Sequence, residues 1–255
     1  MSGCYTISTI ESNPDDLAIW KVSSVGRIFS FLQRQVHALD GQCIISGSFS
    51  LYLYQWFSYP KDRKMLFNPQ DVDIYILNVD SKVIMSLITI FSVDNDDIRI
   101  CKCDTFEGIE YPGSKLRAII NYCCWKKSYT ICRKLQIIVW EDKLVSSVSP
   151  SEFANMVTSQ YDISVVKTAI INSESLNQFF LWNDEVERDI KSKMYSYTIR
   201  QNSCQRKMMQ RMNKYESRGF EIYKYTFEKC DLVLHVLKPE KDTKHSKNET
   251  CFCTS

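Results

Sequence analysis

Asp71 and Asp73 stand two residues apart in a β-branched, aromatic run, Asp71-Val72-Asp73-Ile74-Tyr75-Ile76-Leu77. Alternate residues of a strand share a face, so the two carboxylates converge on one side. Carboxylates paired in this way suit a hard cation such as Mg²⁺, which takes one or two of them together with substrate phosphates and water. A second ion about 4 Å away would let one activate an attacking oxygen while the other holds a triphosphate. Val72, Ile74 and Ile76 fall on the opposite face and anchor the strand in a core.

A second feature lies upstream. Gly47-Ser48 separates a short apolar strand, Gln42-Cys43-Ile44-Ile45, from an aromatic and aliphatic stretch, Phe49 to Phe57, read most simply as a helix. Glycine in such a turn lets backbone amides approach phosphate, and a helix N-terminus favours negative charge. The Ser48 hydroxyl adds a hydrogen bond to a phosphate oxygen. Taken singly, Asp-x-Asp and Gly-Ser are common. Asp71 after Pro69 also reads as a turn residue, and Asp73 as a solvent-facing strand carboxylate. Their order in a strand-turn-helix-loop-strand frame makes the combination specific.

The elements that must hold these residues follow from periodicity and breakers. Asn13-Pro14-Asp15-Asp16 predicts a helix start, with apolar residues at helical spacing through Leu39. Tyr59 to Gln70 reads as a loop, Ser81 to Phe91 as a helix and Ile98 to Cys103 as a strand. A loop is predicted from Thr105 to Ser114. Arg117 to Cys124 and Thr130 to Trp140, joined by Lys126-Lys127-Ser128, predict a hairpin. Ser149-Pro150-Ser151-Glu152 opens another helix, and Asp162 to Val166 reads as strand. Beyond Asn177 the pattern turns more helical, with the clearest helix at Cys204 to Tyr215. Phe220 to Phe227 and Leu232 to Leu237 suggest further strands, and Pro239 to Ser255 a loose tail. The expected organisation is a core over 1–176, a basic region over 177–238 and a tail over 239–255.

Bulk properties narrow the setting. With 255 residues, 44% hydrophobic and 24% charged, the chain has enough apolar material for a sizeable core. The longest apolar run, Val83 to Phe91, is too short to span a bilayer, so no membrane partner is expected. The cysteine count is odd, at eleven, and the start of the sequence lacks the regions of a signal peptide. Free, mostly buried thiols in a reducing intracellular compartment, cytoplasmic or nuclear, are expected. No two Cys-x-x-Cys pairs and no His pair occur at zinc-ligand spacing.

The segments Ile45-Ser46-Gly47-Ser48 and Asp71-Val72-Asp73-Ile74-Tyr75 together resemble the signature of the DNA polymerase beta superfamily of nucleotidyltransferases. Gln160-Tyr161-Asp162-Ile163-Ser164 and Lys214-Tyr215-Glu216-Ser217-Arg218-Gly219-Phe220 are similar to two elements of one branch, the small nucleotidyltransferase-like proteins of large DNA viruses and some eukaryotes. The resemblance spans residues about 42 to 220. It implies an α+β fold: a mixed-sheet nucleotidyltransferase core with flanking helices and a mainly helical, basic C-terminal region. It also implies Mg²⁺ or Mn²⁺, held by Asp71 and Asp73, and transfer of a nucleoside monophosphate from a nucleoside triphosphate with release of pyrophosphate. Gly47 and Ser48 would contact the triphosphate.

Two departures stand out. The 22 residues between Ser48 and Asp71 require an inserted loop. The superfamily usually places a third carboxylate on a later strand, and by order that strand is Lys134 to Trp140, where Gln136 stands. A neutral glutamine is a poor base and a weak ligand. Asp162 is the alternative source of a third catalytic carboxylate, with a turn residue as its other reading.

Net charge is only +2, but Arg188 to Arg218 carries nine Lys or Arg residues against Asp189 and Glu216. Lys207, Arg211, Lys214 and Arg218 share one helical face, with Tyr195, Tyr197 and Tyr215 interleaved. An RNA or other polynucleotide acceptor crossing this region is the functional reading, and a solvated helix face is the other. Within it Lys214 and Arg218 are the candidate phosphate contacts, and Gly219 caps the helix in a left-handed conformation. Oligomeric state is not encoded in these patterns.

Overall fold

The structure, a computed structural model, describes residues 5–10, 14–69, 71–93, 98–107, 114–126, 129–140, 148–174, 178–200 and 204–227. Among the described residues the chain forms ten strands and seven α-helices. In chain order they are β1 (Thr6–Thr9), α1 (Pro14–Val22), α2 (Ser24–His37), β2 (Gln42–Ser46), α3 (Ser48–Ser58), β3 (Asp71–Leu77) and α4 (Ser81–Val93). These are followed by β4 (Ile98–Glu107), β5 (Ser114–Lys126), β6 (Tyr129–Trp140), α5 (Pro150–Thr158), β7 (Thr168–Ile170) and β8 (Gln178–Leu181). The last are α6 (Asp184–Ser192), β9 (Met194–Ile199), α7 (Gln205–Glu216) and β10 (Glu221–Phe227).

Eight strands form one mixed sheet in the order β1-β8-β7-β2-β3-β6-β5-β4. β3 runs antiparallel to β2 and parallel to β6; the other neighbours in this sheet are antiparallel. β9 and β10 make a separate parallel pair, with α7 as the crossover that parallel strands require. The α+β, mixed-sheet class read from the sequence is therefore the class observed.

Alternation along β3 divides the interior in two. Val72, Ile74 and Ile76 pack with Phe29 and Leu32 of α2 and Leu51 of α3. Tyr75 and Leu77, on the face that also carries Asp71 and Asp73, pack with Ile138 and Trp140 of β6 and Phe153 and Val157 of α5. Each such side chain contributes about 1.5–3 kcal/mol on full burial. α5 is fixed by a capping box: the Ser149 hydroxyl accepts from the Glu152 amide, and the Glu152 carboxylate accepts from the Ser149 amide.

Several expectations are corrected. The single helix predicted from Asn13 to Leu39 breaks at Ser23, whose hydroxyl donates to the Trp20 carbonyl and accepts from the Gly26 amide. The loop expected over Tyr59 to Gln70 contains a 3₁₀ turn at Pro60–Met65. β4 continues to Glu107, into the stretch read as loop. Asp162 to Val166 is not a strand: Ser164–Val166 is a 3₁₀ turn closed by the Lys167 amide on the Ser164 carbonyl. The stretch beyond Asn177 contributes strands as well as helices, and β8 belongs to the large sheet. Leu232 to Leu237, the tail from Pro239 and the centre of the β5–β6 turn lie outside the described residues. Among the described residues, no helix is long and apolar enough to cross a membrane.

Candidate functional site

Register brings the sequence-predicted residues together. Asp73 pairs with Ser46 of β2 on one side and with Gln136 of β6 on the other. Because Gly47 follows Ser46 directly, the turn that opens α3 sits level with Asp73. Gly47 has φ 84° and ψ −147°, a region open essentially to glycine alone. A Cβ there would also come within 3.3 Å of Asp73 Oδ2 and 3.5 Å of the Tyr161 hydroxyl. Dihedral and space both demand glycine at this point. The dipole-positive end of α3, with no side-chain cap at Gly47, thus lies beside a carboxylate.

The turn is held from β7. The Ser46 hydroxyl donates to the Thr168 carbonyl at 2.6 Å, and Thr168 Oγ1 lies 2.9 Å from the Ser50 hydroxyl. Ser48, between them, is the first residue of α3 and is buried. Tyr161 donates to the Tyr75 hydroxyl at 2.9 Å, which ties the end of α5 to β3 just beyond the carboxylates.

The strand that by order should carry a third carboxylate is β6, and Gln136 stands directly opposite Asp73. Its amide nitrogen donates to Asp71 Oδ2 at 3.2 Å, and the side chain is only 5% exposed. Asp162 is engaged elsewhere. Its Oδ2 accepts from the Tyr197 hydroxyl at 2.7 Å and from the Arg211 guanidinium, while its carbonyl accepts from the Thr198 amide. Asp162 thereby fastens the segment before the 3₁₀ turn to β9 and α7. Among the described residues, no group of three or more His, Cys, Asp or Glu side chains is placed to hold a metal ion.

The C-terminal end of α7 supplies positive charge to the same place. Lys214 and Arg218 are half-buried and both interact with Asp71; Lys214 also feels Asp73. Burial lowers the affinity of each for its proton, and the neighbouring carboxylate works against that loss. The Arg218 guanidinium carbon lies 4.1 Å from the Phe67 ring centroid and 5.0 Å from that of Tyr215. One of its nitrogens, Nη1, is buried without a hydrogen-bond partner. A buried guanidinium nitrogen in that condition is a donor waiting for an anion. Gly219, at φ 80°, takes the left-handed conformation expected of a helix cap.

Two features of the basic region differ from the sequence reading. Tyr195, Tyr197 and Tyr215 are 0%, 1% and 5% exposed, so these rings belong to the core and present no face to a base. Burial pushes all three phenols up. The exposed rings are instead Tyr223, Tyr225 and Phe227 of β10. Arg211 is turned to Asp162, whereas Arg206 and Lys207 face solvent. Phe67 escaped the sequence reading altogether. Its signal was slight: an aromatic residue at the end of a loop otherwise rich in charge and proline.

No family model matches this chain, and no curated protein matches it. Solved structures similar to it include a CCA-adding enzyme in complex with CTP, at 12% identity and a TM-score of 0.47, covering 85% of this chain and 44% of that one. The same kind of enzyme with ATP gives 12% identity, a TM-score of 0.47 and coverage of 84% and 43%. The Thermotoga maritima CCA-adding enzyme complexed with tRNA gives 11%, 0.45, 85% and 43%. The chain spans less than half the length of each of these proteins. Likeness at this level concerns the path of the chain and carries nothing about chemistry.

Proposed function

We propose that this protein is a metal-dependent nucleotidyltransferase that adds a nucleoside monophosphate from a nucleoside triphosphate to the end of a polynucleotide, RNA, with release of pyrophosphate. The observation that supports this most is the convergence of three separate segments on one point. β3 brings Asp71 and Asp73, the turn before α3 brings Gly47 and Ser48, and the end of α7 brings Lys214 and Arg218.

Asp71 and Asp73 suit a divalent cation, Mg²⁺ or Mn²⁺, which when bound would neutralise part of the triphosphate charge. The chain's own groups do the rest. Backbone amides at the start of α3 and the Ser48 hydroxyl donate hydrogen bonds to the phosphate oxygens. Lys214 and the unpartnered Nη1 of Arg218 add positive charge to the same group. The acceptor hydroxyl oxygen bonds to the α-phosphorus and releases its proton to water, the bond from that phosphorus to the bridging oxygen of the β-phosphate breaks, and pyrophosphate leaves. Arg206 and Lys207 offer phosphate contacts, and Tyr225 and Phe227 offer ring faces for an RNA acceptor.

Gln136 favours a second reading, a degenerate nucleotidyltransferase fold that binds a nucleotide or nucleic acid and transfers poorly. An acceptor that is a protein or a small molecule would use the same core. Incubation of the protein with each α-labelled nucleoside triphosphate, Mg²⁺ or Mn²⁺ and an RNA primer separates these. Primer labelling that vanishes in the Asp71→Asn, Asp73→Asn variant is the expected result. Absence of transfer to RNA, DNA, protein or small acceptors with either metal would leave the binding module.

A further inference from the structure

We infer that the site accommodates a single divalent cation, brought in with the triphosphate, and that Gln136 is the residue that shuts out a second. This rests on the nucleotide-transfer reading above and narrows it.

A pair of divalent ions about 4 Å apart needs carboxylates to bridge them and enough negative charge to offset their mutual repulsion. Here the strand beside β3 presents an amide where that charge is needed. Gln136 is opposite Asp73 in register, so a side chain at this position is the one that would share an ion with it. It donates to Asp71 Oδ2 at 3.2 Å, which occupies one acceptor position of that carboxylate with an N–H group. The amide face turned to Asp71 is therefore the donor face, and a donor face does not bind a cation.

The alternative carboxylate, Asp162, does not make up the deficit. Asp162 is committed to Tyr197 and Arg211, and an ion there would have to displace a guanidinium. Lys214 and Arg218 reduce the count further, because each places a positive charge in the field of Asp71. Two carboxylates set against two cationic side chains leave almost no net charge before ligand arrives. One ion already neutralised by a triphosphate enters such a site readily; a second, bare ion does not. In consequence, an acceptor hydroxyl meets neither a second ion nor a carboxylate base on β6.

The count is measured directly. Mn²⁺ is titrated into the protein with a non-hydrolysable nucleoside triphosphate analogue, and bound ion is read by electron paramagnetic resonance. The expected result is one Mn²⁺ per chain for the native sequence. For Gln136→Asp, and independently for Gln136→Glu should the shorter variant fold poorly, two spin-coupled ions are expected, with the second binding at least about tenfold more tightly than in the native protein. Two coupled ions in the native protein would overturn the single-ion assignment while leaving nucleotide transfer standing. One ion in both native protein and variants would overturn the role of Gln136. Ion and analogue held no better by the native protein than by the Asp71→Asn, Asp73→Asn variant would remove the nucleotide site itself, and this inference with it.

Discussion

The guanidinium of Arg218 rests on the ring of Phe67, a residue from the long segment that separates Ser48 from Asp71. The inserted loop thus reaches across the site and holds a cationic group beside Asp71. Cation–π contact of this kind is worth about 0.5–2 kcal/mol. Phe67→Ala should weaken triphosphate binding by roughly two- to thirtyfold. Arg218→Ala, which removes the proposed phosphate contact itself, should cost about ten- to a hundredfold. Calorimetric titration with a non-hydrolysable triphosphate ranks the two. An equal or greater loss in Phe67→Ala would mean that the ring contacts the ligand directly.

Gly47→Ala should be damaging beyond its size. The backbone conformation alone costs about 1–3 kcal/mol for a residue with a Cβ. The methyl group also presses on Asp73 Oδ2 and the Tyr161 hydroxyl. Chemical unfolding should show that loss, and cation binding should fall with it. Native-like stability in this variant would show that the turn relaxes to another conformation.

Asp162 gives a sharper test of role. Asp162→Asn weakens the ion pair to Arg211 and the bond from Tyr197, so its effect belongs to stability, about 1–3 kcal/mol in an unfolding experiment. Cation affinity with bound nucleotide should change far less than in Asp71→Asn. A fall of similar size in both would restore Asp162 to the metal site.

Asp189 should give the fold a pH dependence. It is buried on α6, accepts from the Ser164 hydroxyl at 2.6 Å, and burial raises its proton affinity above that of an ordinary carboxylate. A raised folded value means that the protonated form is the one the fold prefers. Its stabilising contribution is present below the ordinary carboxylate range and is lost as pH rises through the raised value. Asp189→Asn should therefore flatten the stability profile over that interval, measured as unfolding midpoint against pH. A profile unchanged by the substitution would assign the dependence to other groups.

The geometry at the centre of the candidate site was legible in the sequence because its parts are local. A two-residue period places Asp71 and Asp73 on one face, and a glycine between strand and helix marks a conformation that few residues adopt. Gln136 was found by element order, and the register of β6 against β3 puts it opposite Asp73. Other features depend on partners far away in the chain. Val165 and Val166 read as strand from their branching, yet Ser164 is captured by Asp189 and the segment curls into a turn. Tyr195 and Tyr197 read as ring platforms beside basic residues, but Tyr215 of α7 packs on Tyr195, and Tyr197 is drawn to Asp162. β8 is four residues long and finds its neighbours in β1 and β7, pairings that no local pattern announces.

The pairing of β1 with β8 also sets a schedule for making the molecule. Thr6 lies opposite Leu181, so the outer edge of the large sheet cannot be completed until about 175 further residues have followed β1 out of the ribosome. At about 5–20 residues per second, β1 waits roughly 10–35 s for its partner. Meanwhile β2, α3 and β3 can assemble the turn and the carboxylate pair. The paired carboxylates and their glycine turn are thus within reach of the nascent chain well before Lys214 and Arg218 exist to face them.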